Sequence, residues 1–119
     1  MPNLWVTGLG PAEGERFSRL VADFFERSLG TPRAAVYVFL RDAMLFRDGV
    51  RSEVLPTIVE VSWVRRPRAH FLAAVEEITR IVREDLGRTG SVQVELREKW
   101  DDGSIDGELC SQWAARRRP

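Results

Sequence analysis

Residues 3–42, "NLWVTGLGPAEGERFSRLVADFFERSLGTPRAAVYVFLRD", carry two kinds of periodicity in one run. Residues 3–9 and 35–42 alternate as strands do. Between them Phe17, Leu20, Val21, Phe24 and Phe25 recur at the spacing of one helical face, with charges in the gaps. Pro11 suits the first helical turn, where the N–H it lacks would have no partner, and Gly30 suits the position just past the end. Strand, helix and strand in this order form a crossover, which makes the two strands parallel and the connection right-handed.

The same order returns further on. Residues 56–64, "PTIVEVSWV", and 92–98, "VQVELRE", alternate as strands. The helix between them starts at Pro67, stops at Gly87 and carries its apolar stripe on Phe71, Ala74, Val75, Ile78, Ile81 and Val82. The chain of 119 residues therefore reads as one domain, with β-α-β units at 2–42 and 57–98. Residues 43–56 contain Asp48-Gly49 and are expected to form a connecting hairpin. Residues 99–119 are expected to hold a short strand or two near 104–111 and a fraying tail that ends in "RRRP". The fold class is α+β: a four-stranded mixed sheet with two helices on one face. Phe24 and Val75 are expected to meet beneath it in one core.

Sorting the strands by face sharpens this picture. Leu4, Val6, Val36, Val38, Leu40, Val59, Val61, Trp63, Val92, Val94 and Leu96 make an apolar face for the helices. Trp5, Tyr37, Phe39, Arg41, Glu60, Glu95 and Arg97 lie on the other, where aromatics alternate with charges. A two-layer domain leaves that face bare, and its exposed aromatics favour a partner subunit over water.

Composition removes several functions. Lys+Arg and Asp+Glu number 18 each, which argues against nucleic acid or an anionic membrane as partner. The single cysteine, Cys110, allows no internal disulfide and fits a reducing cytoplasm. No apolar run reaches membrane-spanning length, and the first residues lack the order of a signal peptide. One histidine, His70, leaves no multi-histidine metal site and no histidine triad, so no metal is expected. Asp101, Asp102, Asp106 and Glu108 lack calcium-loop spacing and read as turns.

Over residues 2–98 the chain resembles the tautomerase superfamily. The resemblance rests on Pro2 directly after Met1, a β-α-β unit opening at that proline, and the turn "LGTPRAAVYV" (29–38) with its Gly-x-Pro-x-x-x-Val-x-Val pattern. The two-unit length is similar to macrophage migration inhibitory factor and to 5-carboxymethyl-2-hydroxymuconate isomerase. Residues 56–65 resemble a small, uncharacterised bacterial branch. The resemblance implies a homotrimer, loss of Met1, and Pro2 as the catalytic base. A secondary amine at a chain end has a lone pair to accept a proton, and desolvation with nearby cations keeps it neutral near pH 7. The family's dicarboxylate-binding positions fall on Ala12, Thr31 and Tyr37, so that clamp is missing.

Each candidate has a plainer reading beside the functional one. Pro2 is the base or an ordinary second residue. Tyr37 hydrogen-bonds a substrate oxygen or packs at a subunit contact. Glu60 is an acid in a pocket or, as favoured here, the ion-pair partner of Arg41 or Arg97. Arg65, Arg66, Arg68 and His70 surround a helix start that suits an anion, or are solvated charges. The leading function is a cofactor-free keto–enol tautomerase or isomerase of a small anionic 2-oxo acid, with Pro2 moving the proton and Tyr37, Arg41 or Arg65 holding the charge. The alternatives are a non-catalytic trimeric binding module that keeps Met1, and a monomeric ferredoxin-like domain.

Overall fold

Strand β1 (Asn3–Thr7) leads into helix α1 (Pro11–Leu29), a short 3-10 turn (Arg33–Ala35) and strand β2 (Tyr37–Arg41) in the computed structural model, which describes residues 1–117. α1 starts where the Gly10 amide donates to the Glu13 carboxylate at 3.1 Å, and it stops at Gly30. Strands β3 (Leu45–Arg47) and β4 (Val50–Ser52) form a hairpin around Asp48-Gly49, both in the left-handed region that a two-residue hairpin turn requires. The second unit is β5 (Thr57–Val64), α2 (Arg68–Arg80) with one π-helical turn (Ile81–Asp85) continuing it, and β6 (Val92–Lys99).

The sheet order is β2-β1-β5-β6. β1 is parallel to β2 and β5 to β6, while β1 and β5 run antiparallel, from Asn3 opposite Ser62 to Thr7 opposite Ile58. The sheet is therefore mixed, and the fold is α+β. Antiparallel pairing of two like units makes them pseudo-two-fold mates, and it sets the start of the chain beside the end of β5. That juxtaposition builds the site.

The core lies between the sheet and the helices. Leu4, Val6, Val59, Val61 and Trp63 meet Phe17, Val21, Phe25, Ile78 and Val82, all almost wholly buried. Each such side chain contributes roughly 1.5–3 kcal/mol by leaving water. Phe24 belongs to this core, but Val75 does not: it is half-buried on the flank of α2, and Ala74 and Ile78 face the sheet instead. Ile81 and Val82 continue the same face at the start of the π turn, and both are buried. Two glycines permit close approaches. A Cβ on Gly14 would lie 2.7 Å from Leu40 Cδ1. One on Gly8, whose φ is 98°, would lie 2.3 Å from the Pro56 carbonyl oxygen.

On the opposite face Trp5 stacks on Phe39 at 4.3 Å, and the Arg41 guanidinium lies 4.7 Å above Trp5. Glu60, largely buried, pairs with Arg41 at 3.1 Å and Arg97 at 2.9 Å. Tyr37 and Phe39 remain 44% and 39% exposed.

The end of the chain departs from the sequence expectation. Strands β7 (Ser104–Ile105) and β8 (Glu108–Leu109) lead into a helix, α3 (Cys110–Arg116), where a fraying tail was expected. α3 packs on the end of the open sheet face, and Val64, Cys110 and Trp113 make a second small core against Met1, Trp100 and Ile105. Its apolar residues, Cys110, Trp113 and Ala114, fill about one helical turn, which is too short to show as periodicity. Of the terminal arginines, Arg116 pairs with Glu108 at 2.8 Å, and Arg118 lies outside the described residues.

Candidate functional site

Three segments converge where β1 begins. The turn after α1 brings Thr31 and Pro32, the end of β5 brings Arg65 and Arg66, and the C-terminal segment brings Trp100, Trp113 and Arg117. Together with Met1 they line a cavity of about 690 Å³, within the ~300–1,000 Å³ typical of small-molecule sites. Arg65 N–H donates to the Lys99 carbonyl at 3.2 Å, which fixes the β5 end against β6.

The cations here differ in how they are engaged. Arg65 pairs with Glu98 at 3.4 Å and lies 5.0 Å from the Trp100 ring centroid. Arg117 lies 4.0 Å from the Trp113 centroid and donates to the Trp113 carbonyl at 3.4 Å. Arg66 lies 5.9 Å from the Trp63 ring centroid and has no carboxylate partner among the described residues, and burial lowers its guanidinium below the usual arginine range. A poorly hydrated, unpaired guanidinium is suited to grip a carboxylate.

The chain start shares this field. Burial, followed by Arg66 and Lys99, lowers the Met1 α-amine from 8.0 to about 6, with Arg117 adding to the shift and Cys110 opposing it. Pro2 is buried directly behind Met1, and its carbonyl accepts the Tyr37 amide proton at 3.2 Å. An amine held neutral beside an unpaired guanidinium can take a proton from an anionic substrate that the guanidinium holds.

Of the sequence candidates, Arg65 lies in the wall of this cavity, next to Met1 and the start of β1. Tyr37 touches Pro2 only through the backbone, and its ring makes an edge contact with Phe39 on the open face. Arg41 and Glu60 are bound to each other in the middle of that face, away from the cavity. Arg97 joins the pair through Glu60, the ion-pair reading favoured for that carboxylate, and Arg41 also borders a second, shallower hollow. Sequence reading missed Trp100, Trp113 and Arg117, whose only signal was two tryptophans in an otherwise polar stretch. Among the described residues no group of His, Cys, Asp and Glu gathers to hold a metal ion, and no helix is long and apolar enough to cross a membrane.

The pseudo-two-fold mate of this cavity is a shallower hollow beside Gly8, Gly10 and Arg88. There the chain runs through Pro56 and Thr57, so no amine is free. Arg88 is occupied, with both Glu13 oxygens at 3.0 and 3.1 Å and the Thr57 hydroxyl at 3.2 Å. Burial pushes the Glu13 carboxyl up, but the Gly10 amide and Arg88 together outweigh it and hold the group below the usual range.

No family model and no curated protein matches the chain. Solved structures do. A fused 4-OT forming an asymmetric trimer superposes with a TM-score of 0.78 at 14% identity, covering 98% of this chain and 99% of its own. A protein called Pt0534, inactivated by 2-oxo-3-pentynoate, gives 0.72 at 18% identity over 98% of both chains. A domain of unknown function (DUF1904) from Sebaldella termitidis gives 0.71 at 18% identity over 92% of this chain and 99% of its own. Sheet order, crossover helices and these superpositions together give the chain the same fold as these structures.

Proposed function

We propose that the protein is a cofactor-free keto–enol tautomerase or isomerase of a small 2-oxo acid, working from the cavity at its N-terminus. The observation that carries the reading is the convergence of the chain start and the unpaired Arg66 in one partly apolar cavity. Loss of Met1 turns the Pro2 nitrogen into a secondary amine in the field that already depresses the Met1 amine. Neutral Pro2 takes the enol hydroxyl proton and delivers it to the neighbouring carbon, so the reaction is an isomerisation with no net gain or loss of protons. Arg66 holds the carboxylate and offsets the charge that develops on the oxygen, and Arg65 orients the Trp100 wall. The fused 4-OT neighbour is a trimer. We read this chain as a cytoplasmic homotrimer that covers Tyr37, Phe39 and Trp5 between subunits.

With Met1 retained, the same cavity is a binding pocket without the proline base, a reading favoured by the packing of Met1 against the Val64 core. Exposure to 2-oxo-3-pentynoate separates the two. Peptide mapping is expected to find one adduct, on the Pro2 nitrogen of Met-free protein. Met-free protein that stays unlabelled, while a free prolyl peptide in the same solution reacts, would leave the binding module as the better account.

A further inference from the structure

We propose that the C-terminal segment, residues 100–117, guards the Met1–Pro2 bond, so that a chain loses its methionine before this segment docks or keeps it. The protection is read from Met1 and α3 themselves; only its effect on turnover rests on the reading of Pro2 as the base. Removal of Met1 is a hydrolysis. The amide bond between the Met1 carbonyl carbon and the Pro2 nitrogen breaks, water gives its oxygen to that carbon and a proton to the nitrogen, and free methionine leaves. An aminopeptidase does this by taking the methionine side chain and the α-amine into its own cleft.

Three observations put that step out of reach once the chain has folded. The Met1 side chain packs against the small core of Val64, Cys110 and Trp113, so its extraction has to open that core. Pro2 is buried, and its carbonyl accepts the Tyr37 amide proton at 3.2 Å. Asn3 is already paired with both neighbouring strands, opposite Tyr37 and Ser62, and its side-chain oxygen is buried. The chain start therefore has no loose residues to feed into a protease. The cavity beside Met1 has room for a small molecule, not for a protein cleft.

What closes over Met1 is the part of the chain made last. The segment is tied to itself by the Cys110 amide, which donates to the Gly103 carbonyl at 3.0 Å, and by the Arg116–Glu108 pair at 2.8 Å. It lies outside both β-α-β units, and α3, with 7 residues, is too short to persist as a helix without the sheet beneath it. Its docking is thus a late, separate event of low local stability. Synthesis at roughly 5–20 residues per second leaves about 5–20 s between Pro2 and the last residues, and that interval is the window for excision.

Methionine release by purified aminopeptidase tests this on the full chain, produced with Met1 retained and verified by intact mass. A peptide of residues 1–6 is the unguarded control. We expect the folded chain to release methionine at least about tenfold more slowly than the peptide, because cleavage awaits an open form. Trp113→Asp puts a charge into the small core and leaves the main core untouched, and it should speed release about tenfold or more. Ala114→Asp, at the rim of the same core, should speed it as well and serves if Trp113→Asp fails to fold. Release from the parent at the rate of the peptide would overturn the proposal, as would slow release that neither variant speeds. Ketonisation assays on the trimmed samples keep the two claims apart. Guarded release with no turnover afterwards supports the guard and counts against proline catalysis, whereas turnover after unguarded release overturns the guard alone.

Discussion

Arg66 has no carboxylate beside it among the described residues, whereas Arg65 is tied to Glu98 and lies over Trp100, so the proposed function gives the ligand's carboxylate to Arg66 before Arg65. Arg66→Ala is expected to raise KM for a 2-oxo acid about 10- to 100-fold, the size of one charge-assisted contact, and Arg65→Ala to do less. Steady-state kinetics on both variants checks this, and a larger effect at Arg65 would reverse the roles. Arg66 also presses on the amine. In protein that keeps Met1, the α-amine should titrate at about 6, as read by the pH dependence of acylation. Arg66→Ala should move that value upward, because a neighbouring cation disfavours the protonated amine. An unmoved value would place Arg66 too far from the chain end to act there. The sequence reading chose Arg65 over Arg66, because the Glu98 partner that ties Arg65 down lies on another strand. Glu60 was easier to read: a carboxylate in the middle of an otherwise apolar strand needs a partner, and it has Arg41 and Arg97.

Elements differ in how clearly the sequence announces them. α1 carries several apolar turns bounded by Pro11 and Gly30, and its extent was legible to within a residue or two. α2 was legible as a helix and nearly so in its rotation: Phe71, Ala74, Ile78, Ile81 and Val82 are buried as the stripe requires, and only Val75, at the edge of that stripe, lies on the flank. α3 was invisible because its one buried turn depends on a partner surface, Val64, that the sheet supplies from far along the chain. The β1–α1 turn gives a sharp test. Gly8→Ala sets a Cβ against the Pro56 carbonyl and a side chain into left-handed backbone, which should cost on the order of 2–4 kcal/mol in denaturant unfolding. Gly14→Ala should fail to give the ~1 kcal/mol that alanine normally adds inside a helix, because Leu40 must move aside. If both variants are at least as stable as the parent, the packing of β1 and α1 against β5 and β2 is misdescribed.

At the scale of the whole molecule, the open sheet face and the N-terminal cavity make one prediction each. Tyr37, Phe39 and the Trp5–Arg41 stack form an exposed aromatic surface, and we expect subunits to cover it in a trimer. Light scattering should give three times the chain mass at micromolar concentration, and Phe39→Asp should lower it to the monomer. A parent protein that is already monomeric would remove the shared interface. The presence of two β-α-β units was legible from repeated periodicity, whereas their antiparallel pairing through β1 and β5 had no local signal. Nor was the choice of one working end legible, because it depends on which mate holds a chain terminus and which holds Arg88 already bound to Glu13. The central claim is that the working end uses the nitrogen of Pro2. It is tested most directly by comparing the ketonisation rate of one enol acid on Met-free protein and on protein deliberately left with Met1. The account predicts turnover only in the Met-free form, falling as acid protonates the amine, because an amide nitrogen has no basic lone pair. Equal turnover with Met1 in place would contradict it.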